Sequence, residues 1–126
     1  MSGLNIANET RASLPRVRFA AIKAAALGSR YALNLVFARP ARMKKLNRIY
    51  RGKDRPTDIL SFPIAVNEGE IYICSSEARR EAKKFGRSYG NFIAFLFIHG
   101  LVHLKGYDHG ATMERIEAGL RKKFKI

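Results

Sequence analysis

The segment 89–104, YGNFIAFLFIHGLVHL, constrains the fold of this chain more than any other feature. It contains no Lys, Arg, Asp or Glu, and its apolar residues occupy nearly every side of the helix that the pattern predicts. A helix without a polar face is a central, buried one. The apolar run from Phe92 to Leu104 is interrupted by two histidines and is too short to span a bilayer, so the rest of the chain is expected to pack around it.

Hydrophobic periodicity and turn residues predict four strands and five helices. The strands are 4–7, 32–38, 58–62 and 70–74, and the helices are 15–27, 41–50, 76–85, 89–104 and 112–124. Pro15 is placed in the first turn of the first helix, with Ser13 as its candidate cap, and Pro63 is expected to end the third strand. The mixed order predicts an α+β fold with one small mixed sheet, and the length of 126 residues predicts a single domain, 1–126.

All three histidines of the chain lie in the segment His99-Gly-Leu-Val-His103-Leu-Lys-Gly106-Tyr-Asp-His109. On a helix, His99 and His103 are four residues apart and project from one face. Gly106 can end that helix in a left-handed conformation, after which the chain turns back and His109 becomes a third ligand. Three neutral imidazoles with an open fourth position are typical of a catalytic zinc site. The alternative for each histidine is a hydrogen-bonded core residue.

The same spacing occurs in the metalloprotease motif H-E-x-x-H-x-x-G-x-x-H, but Gly100 stands here where that motif has its glutamate. The glutamate is the general base that activates the metal-bound water. Because glycine cannot take a proton, peptide hydrolysis by this route is not expected. Asp108 is a candidate replacement for the base, a hydrogen-bond partner of a ligand imidazole, or simply a turn residue.

The net charge of +14, from 24 basic and 10 acidic residues, indicates a polyanionic partner, most simply nucleic acid. The basic residues are concentrated in three clusters, at 39–55, 79–87 and 121–125, and none occurs between Pro56 and Ala78. Each cluster taken alone is also explained by a solvated helix face. The single cysteine, Cys74, lies in an apolar run and is predicted to be a buried thiol. Without a signal-peptide pattern, a membrane span or a lipid anchor in the sequence, we expect a cytoplasmic protein.

Two long motifs resemble those of one known family, the YbeY endoribonucleases. The segment 46–63, LNRIYRGKDRPTDILSFP, resembles the family signature L-N-x-x-Y-R-G-K-D-x-P-T-D-V-L-S-F-P. The segment 99–109, HGLVHLKGYDH, is similar to H-G-x-L-H-L-x-G-Y-D-H, and 69–74, GEIYIC, to G-D-I-V-I-S. Glu70 stands where the family often has Asp, and the connections between elements are shorter than is typical.

The resemblance implies a zincin-like fold around a mixed sheet and a metal-dependent endoribonuclease specific for single strands. Such enzymes act in ribosomal RNA maturation and ribosome quality control. It further implies zinc bound by His99, His103 and His109, and an arginine in the active-site cleft at Arg51. Arg51 and His99 are the residues expected to act in catalysis, with Arg51 clamping a phosphate. Nickel or another divalent ion also suits an imidazole-only site. Partners implied at the family level are ribosomal RNA and small-subunit ribosomal proteins.

Several alternatives stay open in the sequence. The nucleophile is either metal-bound water or the 2′-hydroxyl of the RNA. The protein is alternatively an RNA- or ribosome-binding module with a structural metal, or, against the argument from Gly100, a metalloprotease. The five residues Thr57, Asp58, Ser61, Lys105 and Tyr107 are each explained either by a local structural role or by contact with substrate.

Overall fold

A mixed four-stranded sheet carries the helices of this protein, whose computed structural model describes residues 3–126. The strands are β1 (Leu4–Asn8), β2 (Ala32–Ala38), β3 (Ile59–Ala65) and β4 (Glu68–Cys74). The helices are α1 (Phe19–Leu27), α2 (Pro40–Arg51), α3 (Ser75–Lys84), α4 (Tyr89–Leu104) and α5 (Ala111–Phe124). The predicted α+β architecture is therefore confirmed.

The strand order across the sheet is β1-β2-β4-β3. Strand β2 is parallel to both β1 and β4, whereas β3 pairs antiparallel with β4 and forms one edge of the sheet. Successive residues of a strand point to opposite faces. In β4, Ile71 and Ile73 join the core beneath α4, and Tyr72 and Cys74 join a smaller core with Met43 of α2.

Helix α4 lies at the centre of the larger core, as the apolar segment 89–104 predicts. Phe97, Ile98 and Leu101 of α4 have no exposed surface and pack in one cluster with Leu35 and Ile71 of the sheet. Ser88 caps the start of the helix, because its hydroxyl accepts a hydrogen bond from the Asn91 backbone N–H. The central helix therefore gives rigid support to every side chain that projects from it. Among residues 3–126, none of the helices has the length and apolar character that crossing a membrane requires.

Two predicted boundaries were wrong for tertiary reasons. The first helix begins at Phe19 rather than near Pro15. Its N-cap residue is Arg18 rather than the predicted Ser13, and the Arg18 side chain makes no capping hydrogen bond. The preceding segment is non-helical, and Leu14 and Val17 pack against the core, so burial overrides the local preference for a helix.

The third strand does not end at Pro63 but continues to Ala65, with a register shift between the two residues. Proline has no N–H to donate, yet it is tolerated on an edge strand, where one side of the backbone needs no partner. The position of β3 at the edge of the sheet explains why this proline does not end it.

Helix α4 approaches the sheet most closely at Gly100. A Cβ atom at this position would lie 2.9 Å from Ser61 Oγ and 3.0 Å from the Cδ1 atoms of Ile59 and Ile71. Packing therefore favours glycine here, because a larger residue would require the side chains of β3 and β4 or the helix itself to shift. At the position where a metalloprotease has its glutamate, side chains of the sheet fill the space next to the helix.

This contact predicts opposite effects for two glycine-to-alanine substitutions in helices. Gly119, in α5, has no atom within 4 Å of a built Cβ, so Gly119→Ala is expected to raise the free energy of unfolding by about 0.5–1 kcal/mol through helix propensity. Gly100→Ala is expected to lower it, since overpacking costs about 1–3 kcal/mol. Urea denaturation of both variants measures the difference, and an equal gain in stability would contradict the packing argument.

Candidate metal centre

The structure brings the three predicted histidines together. His99 and His103 project from one face of α4, and their Nε2 atoms are 3.1 Å apart. His109 lies in the turn between α4 and α5, where Gly106 and Gly110 both have positive φ angles, 107° and 153°. Each of the three rings offers a nitrogen within 4.8 Å of the other two. The predicted role of Gly106 in turning the chain back is confirmed.

The Nδ1 atoms of the two helical histidines are both held by oxygen acceptors. Nδ1 of His99 is 2.9 Å from a carboxylate oxygen of Glu117, and Nδ1 of His103 is 3.0 Å from the backbone carbonyl oxygen of Tyr107. Carboxylate and carbonyl oxygens only accept hydrogen bonds, so both Nδ1 atoms carry the proton and donate it. When both rings are neutral, this leaves their lone pairs on the Nε2 atoms, which face each other.

This arrangement fits a divalent metal ion. Two facing lone pairs repel each other unless a cation lies between them. A proton is disfavoured in that role, because burial, reinforced by the neighbouring His99, lowers the pKa of His103. With Zn–N bonds of about 2.0–2.1 Å, two nitrogens on a tetrahedral ion are roughly 3.3 Å apart, close to the observed 3.1 Å. His109, the exposed member of the set, supplies a third nitrogen.

Glu117 is a candidate site residue that the sequence analysis missed, and it contacts His99. It is only 6% exposed, on the face of α5 that also buries Met113. Glu117 follows Met113 by four residues and precedes Leu120 by three, so it lies on the apolar stripe of its helix. A carboxylate on a buried stripe requires a partner, and this signal was present in the sequence. In metal sites, such a carboxylate orients the ligand imidazole and raises its basicity.

Asp108 does not make the imidazole hydrogen bond that was one of its predicted roles. Its side chain is fully exposed, and Oδ1 is 4.0 Å from His103 Nδ1, beyond hydrogen-bond distance. The backbone carbonyl of the preceding residue, Tyr107, makes that bond instead. The Tyr107 side chain is partly buried and packs against the core. Lys105 is exposed at the end of α4.

A cleft of about 850 Å³ opens beside the histidines. His99, His109 and Glu117 line one part of it, together with Asp58 at the start of β3. Burial, and then the charge of Glu81, raise the pKa of Asp58. Asp58 thus lines the cleft. Ser61 instead lies beneath α4, with its hydroxyl 3.5 Å from the Gly100 carbonyl oxygen.

The Arg51 side chain contacts β3, the edge strand of the sheet. Its Nη2 atom donates a hydrogen bond to the Ser61 carbonyl oxygen at 3.3 Å, and its guanidinium carbon is 5.8 Å from the centroid of the Phe62 ring. The side chain is exposed and is not among the described residues that line the cleft. The assignment of Arg51 to catalysis stays a prediction.

Comparison with known proteins identifies one family. A family profile described as Endoribonuclease YbeY matches residues 4–124. The Endoribonuclease YbeY of Pelotomaculum thermopropionicum is 39% identical over 113 residues, which cover 81% of this chain and 74% of that protein. The Endoribonuclease YbeY of Thermotoga maritima is 38% identical over 79 residues, covering 61% of this chain; the match spans about half of that relative, 53%.

A solved structure is similar over nearly the whole chain. It is the solution structure of TM1509 from Thermotoga maritima, with a TM-score of 0.65 and 25% sequence identity. The similarity covers 97% of this chain and 91% of the other. The arrangement of the sheet and helices is therefore shared with this protein.

The role of Glu117 predicts a selective effect on metal binding. Glu117→Gln removes the charge that orients His99, so the affinity for Zn²⁺ is expected to fall 10–100-fold. Glu114 lines the same cleft one turn earlier on α5 but is exposed, and Glu114→Gln is the matched control. Competition with a chromophoric chelator measures both affinities. Equal losses in the two variants would show that only the general negative charge of the cleft matters.

Proposed function

The chain belongs to the Endoribonuclease YbeY family, and on this premise we propose that it is a metal-dependent endoribonuclease that cleaves single-stranded RNA. We assign it to ribosomal RNA maturation and ribosome quality control in the cytoplasm, with residues 1–126 forming one catalytic domain. The observation that carries the proposal is the convergence of the Nε2 atoms of His99 and His103, 3.1 Å apart, with His109 beside an open cleft.

His99, His103 and His109 would hold the ion, with Zn²⁺ as the first candidate and Ni²⁺ or another divalent metal as alternatives. When bound there, such an ion would supply Lewis-acid chemistry to the cleft. Glu117 and the Tyr107 carbonyl fix the orientation of the imidazoles. Arg51 binds a phosphate of the substrate, because a guanidinium matches two phosphate oxygens.

The charge of the chain supports a polyanionic substrate. The net charge is +14, and helix α2, which precedes Gly52, carries basic side chains but no Asp or Glu. Lys44, Lys45 and Arg48 of this helix are all exposed. Such a surface attracts the phosphate backbone without regard to sequence. The same attraction suits action on the ribosome, where proteins of the small subunit are the partners that we assign.

The two rival functions have less support. A structural zinc site needs a fourth protein ligand, yet the candidate metal cluster found within residues 3–126 contains only the three histidines. Cys74 has no exposed surface and packs with the residues beneath α2, on the other face of the sheet. A metalloprotease needs the glutamate for which Gly100 leaves no space.

Cleavage of one RNA sequence, offered as a single strand and as a duplex, tests the proposal with metal content measured in parallel. The wild-type protein is expected to contain one metal ion and to cut the single strand. Chelation abolishes cleavage and added Zn²⁺ restores it. His103→Ala is expected to lose both metal and cleavage, whereas Arg51→Ala keeps the metal and loses about 10²–10³-fold in rate.

Arg48→Ala is the matched control for Arg51→Ala, because both residues are exposed on α2 and carry the same charge. The control is expected to lose only the contribution of one surface charge, and therefore far less cleavage than Arg51→Ala. Equal cleavage by all preparations would reveal a contaminating nuclease and refute the enzyme assignment. Equal losses in the two arginine variants would refute the specific role of Arg51, and hydrolysis of casein would refute the exclusion of peptide chemistry.

A further inference from the structure

One face of α4 connects the histidines to a group of aromatic side chains. Phe92, Phe95 and Leu96 precede His99 by seven, four and three residues, so all lie on the same face of the helix. They line the same cleft as His99 and His109. Seven residues of helix span about 10 Å. The cleft therefore has a metal-binding end and an aromatic end, separated by two helical turns.

Three phenylalanines are stacked at the aromatic end. The ring centroids of Phe85 and Phe92 are 5.4 Å apart with an interplanar angle of 24°, and those of Phe92 and Phe95 are 5.7 Å apart at 13°. Phe92 is buried, but Phe85, directly after α3, is 58% exposed although it lines the cleft. Phe85 thus rests on a rigid aromatic support and presents the rest of its ring to the cleft.

Two arginines flank this stack. The guanidinium carbons of Arg87 and Arg121 are 4.5 Å and 5.3 Å from the centroid of the Phe95 ring. Arg87 is further fixed by a hydrogen bond that it donates to Asn91, and Arg121 lines the cleft. Aromatic rings that stack bases, next to cations that contact phosphates, are the two components that single-strand-binding proteins combine.

The cleft also contains carboxylates, which determine where a phosphate can lie. Glu117 is bound to His99, and Glu81 forms an ion pair with Lys84 at 2.7 Å. Asp58 and Glu114 also line the cleft, and Glu114 is exposed. A phosphate at the aromatic end is therefore best placed at the arginines. Stacking itself uses the π face of a base and requires no net positive charge.

We propose that Phe85, supported by Phe92 and Phe95, is a nucleobase-stacking subsite for single-stranded RNA, with the adjoining phosphate bound by Arg121 and Arg87. The proposal rests on the proposed function and adds a substrate contact to it. It also explains a preference for single strands, because a base within a duplex is stacked on its neighbours and has no free face for Phe85.

Binding of a fluorescent oligoadenylate in the presence of a chelator tests the subsite without cleavage. Phe85→Ala is expected to weaken binding about 10-fold or more, from the range that stacking on one aromatic ring contributes, and to leave the affinity for an abasic strand of equal length unchanged. Phe85→Leu, which keeps the apolar contact with Phe92, is expected to behave like Phe85→Ala and guards against misfolding of the smaller variant. Val66→Ala, at a 94% exposed residue outside the cleft, is the control and is expected to bind as wild type.

A spectroscopic variant reports stacking directly. The chain contains no tryptophan, so Phe85→Trp introduces a single indole, which is expected to retain binding. Oligoadenylate is expected to quench its fluorescence, and the abasic strand is not. An unquenched indole, wild-type binding by Phe85→Ala, or an equal loss with the abasic strand would each overturn the subsite.

The failure of the subsite differs from the failure of the proposed function. If the wild-type protein cleaves RNA and Phe85→Ala binds oligoadenylate normally, the nuclease stands and the subsite is refuted. If the wild-type protein cleaves nothing but Phe85→Ala loses base-dependent binding, the subsite stands and the nuclease is refuted.

Discussion

The close approach of α4 to β3 and β4 at Gly100 is the contact on which the rest of the structure depends. This contact allows the largely apolar helix α4 to lie against the sheet, so that side chains of the helix and of the sheet are buried together. His99 directly precedes this contact and His103 follows it by one turn, so both imidazoles project from a segment whose position is fixed by packing. A metal site requires such rigidity, because ligands displaced by about half an ångström lose the productive geometry.

Glu117 of helix α5 contacts the candidate metal site through its hydrogen bond with His99. A buried carboxylate without a partner is costly, so the hydrogen bond from His99 helps to hold α5 against α4 as well as orienting the imidazole. Stability and ligand geometry are thus coupled at one contact. A metal that binds only the folded state would strengthen this coupling by mass action.

The sequence predicted those features that depend on neighbouring residues. Helix α4 was predicted with its observed bounds, because its apolar run begins after the Ser88 cap and ends just before Gly106. The histidine cluster was predicted because its members lie within eleven residues, so one helix and one turn determine their geometry. The missed features depend on contacts between distant residues. Glu117 reaches His99 across eighteen residues, and the aromatic end of the cleft is assembled from α3, α4 and α5.

Gly100 packs against the sheet at the position where the metalloprotease motif has its catalytic glutamate. This difference has a chemical consequence. With Gly100 turned toward β3 and β4, that position of α4 contributes no general base beside the histidines. Hydrolysis of a peptide by metal-bound water needs such a base to take the proton of the attacking water. RNA carries a nucleophile of its own in the 2′-hydroxyl, whose proton can be taken by a base at another position of the cleft. Asp58 lines the cleft, and burial raises the pKa of its carboxyl group. It is therefore a group that can exchange a proton there. The contact that leaves no general base at this position of α4 is therefore compatible with chemistry on a phosphodiester.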